Sequence, residues 1–108
     1  MEVVLQRRET TDGRVISSLT TGKTYQVVGI EADDYRIVDD KGEPILFDHA
    51  CFDVLDASEP DFWVSQIDDG VRYAYPPEWM HPGFFEDYFD NKDNVRREFW
   101  IQYHRYFN

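Results

Sequence analysis

A chain of 108 residues with one cysteine and a formal net charge of −11 is long enough for one domain with a real core, and it excludes an internal disulfide. Its acidity argues against binding nucleic acid or an anionic membrane surface. Its aromatic fraction, 17%, exceeds what so small a core needs, so some rings are expected at the surface, where Trp and Tyr favour interfaces.

The acidity is uneven. Residues 1–32 hold four acids and four bases, residues 33–90 hold sixteen acids and three bases, and residues 91–108 hold two acids and four bases. The middle of the chain therefore carries the whole excess, and its field attracts a cationic partner.

The opening run Met1-Glu2-Val3-Val4-Leu5-Gln6-Arg7-Arg8 has no basic stretch followed by a long apolar one, so no export signal is read there. No segment approaches the roughly 20 apolar residues of a membrane span. With a single unpaired thiol, a reducing cytoplasmic setting is expected. Val3-Val4-Leu5 is a short apolar run ended by the turn chemistry of Thr11-Asp12-Gly13. After a polar loop, Tyr25 to Ile30 reads as one strand, rich in β-branched and aromatic residues. Tyr35 to Asp39 and Pro44 to Phe47 form a hairpin around Lys41-Gly42. Phe52 to Asp56 alternates and reads as a further strand.

Beyond Ala57-Ser58-Glu59-Pro60 the character changes. Phe62-Trp63-Val64 fits a helical turn or a strand. Asp68-Asp69-Gly70 is a turn signal and Val71 to Tyr75 fits one more strand, stopped by Pro76-Pro77. Phe84, Phe85, Tyr88 and Phe89 have helical spacing. A final helix across Val95–Tyr106 carries the stripe Val95, Phe99, Tyr103, Tyr106, with Asp90 or Asn91 as its cap.

The run Leu19-Thr20-Thr21-Gly22-Lys23-Thr24-Tyr25, continued through Val27-Val28-Gly29-Ile30, Tyr35 to Asp40, Gly42-Glu43-Pro44 and Phe52-Asp53-Val54, resembles small bacterial and phage barrel domains of the Src-homology-3-like type. The resemblance covers about residues 15–56 and implies a small antiparallel β-barrel, with little said about function. The second half is similar to the aromatic tails of small bacterial proteins encoded beside toxins. No functional residue is carried over from either. The expected fold class is α+β: one domain, residues 1–108, in which a barrel part (1–56) is followed by a mixed, mainly helical part (57–108) packed on it.

Catalytic and metal constellations are weak. His49, His81 and His104 have no i, i+4 pair. On a strand, His49 and Cys51 would face one side, but without a second pair of ligands they read as a surface imidazole and a packed thiol. Nothing near Cys51 in sequence would activate it. The adjacent acids Asp33-Asp34, Asp39-Asp40, Asp68-Asp69 and Glu86-Asp87 read as turn residues or solvated faces. The glycines are scattered singly, so no phosphate loop is formed. No metal, no cofactor and no enzymatic activity are expected.

The segment Tyr73-Ala74-Tyr75-Pro76-Pro77-Glu78-Trp79 is the most unusual. Prolines hold an extended shape at little entropic cost, and Tyr and Trp anchor interfaces. Trp79 is expected to be exposed as such an anchor, with Phe84 and Phe89 buried. The partner-binding residues are then Asp68, Asp69, Tyr73, Tyr75, Trp79, Glu86 and Asp87. The expected function is an acidic inhibitor of a basic protein, such as an immunity protein neutralising a cognate toxin. The alternatives are an acidic phage- or plasmid-encoded regulator or nucleic-acid mimic, and a small enzyme of unknown class. Direct nucleic-acid binding is opposed by the charge, since only Arg96, Arg97 and Arg105 form a local basic face.

Overall fold

A computed structural model of the chain describes residues 1–107. Eight strands form two antiparallel sheets. The first has the order β2 (Thr24–Gln26), β1 (Glu2–Leu5), β6 (Phe52–Asp56). The second has the order β5 (Pro44–Phe47), β4 (Asp34–Val38), β3 (Gly29–Glu31), β8 (Val71–Tyr75), β7 (Val64–Asp68). Helices α1 (Phe84–Phe89) and α2 (Asp93–Phe107) follow. The fold is α+β, as expected. Its ladders give two open sheets, and no ladder among the described residues joins them into a closed barrel.

The run expected as one strand over residues 25–30 is two strands in different sheets. The chain turns the corner at Val27-Val28. Val27 N–H donates to the carbonyl of Met1, and Val28 N–H donates to that of Arg36. The buried side chains divide in the same way. Val27 joins the core between the sheets with Val3, Leu5, Ile30, Ile37 and Phe47. Val28 joins a second core with Tyr75, Trp79, Phe84, Phe85, Tyr88 and Phe99. Both positions want an apolar β-branched residue, so the alternating pattern runs through the corner without marking it.

The hairpin expected around Lys41-Gly42 is present, pairing Tyr35 with Phe47 and Val38 with Pro44. Asp39, buried in the loop, accepts from the N–H groups of Lys41 and Glu43 through one oxygen. That is the local competition for backbone donors that makes Asp a turn residue.

Residues 57–107 are mixed, and the strand expected over Val71 to Tyr75 is β8. Strands β7 and β8 lie within them, and β8 pairs with β3, matching Ile30 with Ala74 and Glu31 with Tyr73. The second core is nearly all aromatic and lies between the five-stranded sheet and the helices. Phe99 of α2 is fully buried and stacks 4.5 Å from Trp79. The expected helix over Val95–Tyr106 is α2, but its expected caps lie upstream. Asp90 closes α1 by donating its N–H to Glu86, and Asn91 makes the turn between helices with φ +60°. Phe89, expected in the core, is 41% exposed on the outer side of α1.

The two cores meet at Gly29. A Cβ built there would fall inside the ring of Tyr75, so only glycine lets that ring lie against β3. Gly29→Ala is expected to lower stability by about 1–3 kcal/mol through overpacking, read as a lower urea midpoint. A midpoint equal to that of the parent would show that Tyr75 moves aside freely.

Candidate functional site: an acidic cleft with aromatic walls

Strands β7 and β8 are joined by Asp69-Gly70, with φ of +51° and +77°. Positive φ at both central residues is a type I′ turn, the two-residue connection that matches strand twist. The hairpin forms one edge of the five-stranded sheet, and all five residues of β7 are exposed. Opposite it, the chain leaves β8 through Pro76, extended at φ −50° and ψ 145°, into a 3-10 turn over Pro77–Met80. His81-Pro82-Gly83 then leads into α1. A cleft of about 280 Å³ lies between the hairpin and this corner.

Tyr73, Tyr75, Trp79 and Phe84 form its aromatic walls. Glu31, Asp68 and Glu86 bring carboxylates to it, and His81 stands at its edge. No Lys or Arg is among its lining residues. Glu31 is at the floor, where one oxygen accepts from the Tyr75 hydroxyl at 2.7 Å and from Arg36 Nη2 at 2.9 Å. Burial pushes the Tyr75 phenol well above its ordinary range, so the hydroxyl stays protonated and donates to Glu31. Asp68 and Glu86 are exposed, and neither takes part in an ion pair among the described residues. The site's uncompensated negative charge is therefore at its rim.

Five of the seven expected partner-binding residues converge here: Asp68, Tyr73, Tyr75, Trp79 and Glu86. Two do not. Asp69 is at the hairpin tip, and Asp87 pairs with Lys92 at 2.8 Å. Two of the five have a different role from the one expected. Trp79 is 2% exposed, with Nε1–H donating to Gln102 Oε1 at 2.8 Å, and Tyr75 is 2% exposed. The 3-10 turn that follows the prolines directs Trp79 inward, so it is a wall of the second core and not a projecting anchor. Glu31 and His81 were missed. Glu31 has no local signal in sequence, because its partners lie five and forty-four residues away.

A larger groove of about 740 Å³ lies between residues 10–18 and the turn after β5. Asp34, Asp48 and His49 bring one ligand-type atom each to within 4.8 Å of one another there. Their atoms already have protein partners. Asp48 accepts from the Thr11 N–H and hydroxyl, both at 2.8 Å, and from Ala50 N–H. Asp34 Oδ1 is 2.9 Å from His49 Nδ1. The cluster thus clips the 10–18 loop to the sheet. His49 and Cys51 lie on a 3-10 turn, not a strand, so they part company: the imidazole is exposed while the thiol is 1% exposed in the core. Burial pushes the Cys51 thiol up, away from the thiolate that reactivity needs.

Two outcomes follow. Trp79→Ala is expected to cost about 3–5 kcal/mol of stability, seen as a large fall in the thermal or urea midpoint. A variant as stable as the parent would contradict the buried placement. Hydrogen bonds from Thr11 and Ala50 hold the Asp48 carboxyl below its usual range. A group with a depressed folded pKa stabilises above its unfolded value and loses that contribution as pH falls through the folded one. Asp48→Asn is therefore expected to lessen the loss of stability between neutral pH and about pH 3, measured by urea titration at each pH. An unchanged acid limb would count against it.

Comparison of the chain with protein-family models, with curated proteins and with solved structures returned no match.

Proposed function

We propose that the chain is a binding protein, an acidic inhibitor that seats Lys or Arg side chains of a basic partner in the cleft between the β7–β8 hairpin and α1. The immunity protein of a basic toxin is the instance that best joins its size, charge and site. The observation that carries this reading is the rim itself: Asp68 and Glu86 line a concave aromatic site that has no Lys or Arg in its lining, and neither has an ion-pair partner among the described residues. A Lys or Arg stem suits aromatic walls, and its head suits the carboxylates. The buried, unactivated Cys51 and the internally bonded Asp34, Asp48 and His49 favour binding over catalysis.

A nucleic-acid mimic needs carboxylates spread evenly over one face. Here Asp40, Glu43, Glu59 and Asp87 are each paired with a lysine or arginine of the same chain, which favours a local site over a uniform field. We read the sheets around residues 15–56 as an opened relative of the Src-homology-3-like barrel, on the strength of the short strands around the Gly22-Lys23 loop. Cytoplasmic residence is part of the same proposal. It is consistent with the absence, among the described residues, of any helix long and apolar enough to cross a membrane.

The reading predicts a basic toxin domain encoded beside this gene, whose growth inhibition is relieved by co-expression of this protein. In surface-based kinetics, the double substitution Asp68→Asn with Glu86→Gln is expected to lower the association rate on the order of tenfold at low salt. The parent's rate is expected to fall as salt shortens the Debye length below about 10 Å. A rate insensitive to both salt and substitution would sink the proposal.

A further inference from the structure

Strand β7 ends the five-stranded sheet, and no strand among the described residues pairs on its outer side. Its register places Asp68 opposite Val71 across the two-residue turn, Gln66 opposite Tyr73 and Val64 opposite Tyr75. In a two-residue hairpin these are the directly hydrogen-bonded pairs, so the intervening Ser65 and Ile67 turn their N–H and C=O groups outward. No other backbone group among the described residues bonds them.

Proteins ordinarily blunt such an edge with Lys, Pro, a bulge or a charge within the strand. The β5 edge begins with Pro44 and the β6 edge carries Asp53 and Asp56. In β7 the one charge, Asp68, stands at the turn, residues 64–67 are uncharged and pair without a bulge, and Ile67 is 73% exposed. We propose that this edge takes up an extended segment of the basic partner as an added strand, with alternate basic and apolar side chains. The proposal rests on the binding function above.

The alternation follows from the sheet. Gln66 and Asp68 line the cleft, while Ser65 and Ile67 face the other side. An added strand repeats that division. Its cleft-side residues come beside Asp68, where Lys or Arg is favoured, and its other residues lie beside Ile67, where an apolar one is. A second copy of this chain would bring together two molecules of net charge −11 and offer the cleft no cation.

The test uses three synthetic octapeptides, alternating Lys-Val, Glu-Val and Lys-Gly, titrated to about 1 mM and followed by NMR and amide hydrogen exchange. Lys-Val is expected to slow exchange at Ser65 and Ile67 at least tenfold. Ile67→Pro removes an outward N–H without a ladder bond and is expected to weaken Lys-Val binding at least tenfold. If the proline unravels the hairpin, Ile67→Lys keeps the N–H, adds a repelling charge and is expected to do the same. Equal binding of Lys-Gly with no protection at Ser65 and Ile67 would overturn the added strand and leave the cleft reading standing. Equal protection by Glu-Val would overturn the basic occupant. A dimer in sedimentation, broken by Ile67→Lys, would assign the edge to self-pairing instead. No binding of Lys-Val at all would overturn the edge proposal, while the salt dependence with the toxin partner would still judge the cleft.

Discussion

The rest of the structure depends on the buried guanidinium of Arg36, 7% exposed. Its Nε donates to the Tyr75 hydroxyl at 3.0 Å, Nη1 to the Pro44 carbonyl at 3.2 Å and Nη2 to Glu31 at 2.9 Å, while its face lies 3.9 Å from the Phe85 ring centre. One side chain thereby ties β3, β4, β5, β8 and α1 together. A charge taken out of water is tolerable only if paired and hydrogen-bonded, and here each guanidinium nitrogen donates a hydrogen bond, one of them to a carboxylate. The geometry it needs leaves little freedom. Tyr75 must lie over β3, which requires Gly29, and Phe85 must come down onto the guanidinium, which sets the placement of α1.

That arrangement also decides what the cleft can do. Glu31 is its deepest carboxylate, but Arg36 neutralises it at 2.9 Å. The floor is therefore an internal ion pair braced by the Tyr75 hydroxyl, not a free anion. Attraction for a cation falls instead to Asp68 and Glu86. Asp68 is on the β7–β8 hairpin and Glu86 on α1, the two elements that Arg36 joins through Tyr75 and Phe85. Charge at the rim steers encounter and loses less to desolvation than charge at the floor would.

Much of the fold was legible from short-range rules. The β4–β5 hairpin is announced by its turn residues and by alternation on both sides. Helix α2 follows from a stripe at helical spacing with Phe99 at its centre. The β7–β8 turn is written in Asp69-Gly70. The corner at Val27-Val28 was not legible, because facing two different cores and facing one core both call for buried β-branched residues. Trp79 was misplaced for a related reason. A tryptophan after two prolines looks like an irregular exposed segment, yet Pro76 is extended and Pro77 opens a 3-10 turn that carries the indole inward to Phe99 and Gln102. The charged rim of the site was legible because turn and helix-surface acids stay exposed. Glu31 and Arg36 were not, since their pairing exists only once β3 and β4 lie side by side.

The surplus of acid in residues 33–90 is less uniform in space than in sequence. Several of its carboxylates serve the fold: Asp39 organises the hairpin loop, Asp48 clips the 10–18 loop, and Asp40 gathers Thr20, Lys23 and the Tyr25 hydroxyl. Glu59 pairs with Arg72 on the flank of the β7–β8 hairpin, so the one arginine of that hairpin is held by its own chain. The consequence is local. Arg72 is the base closest in sequence to Asp68 and Asp69, and its guanidinium already has an acidic partner at the hairpin's side. Arg36, the nearest base in the sheet, is buried against Glu31. With both cations engaged elsewhere, the exposed acids Asp68, Asp69 and Glu86 have no ion-pair partner among the described residues. The internal ion pairs that stabilise the fold are thus also what leave this corner of the surface negative.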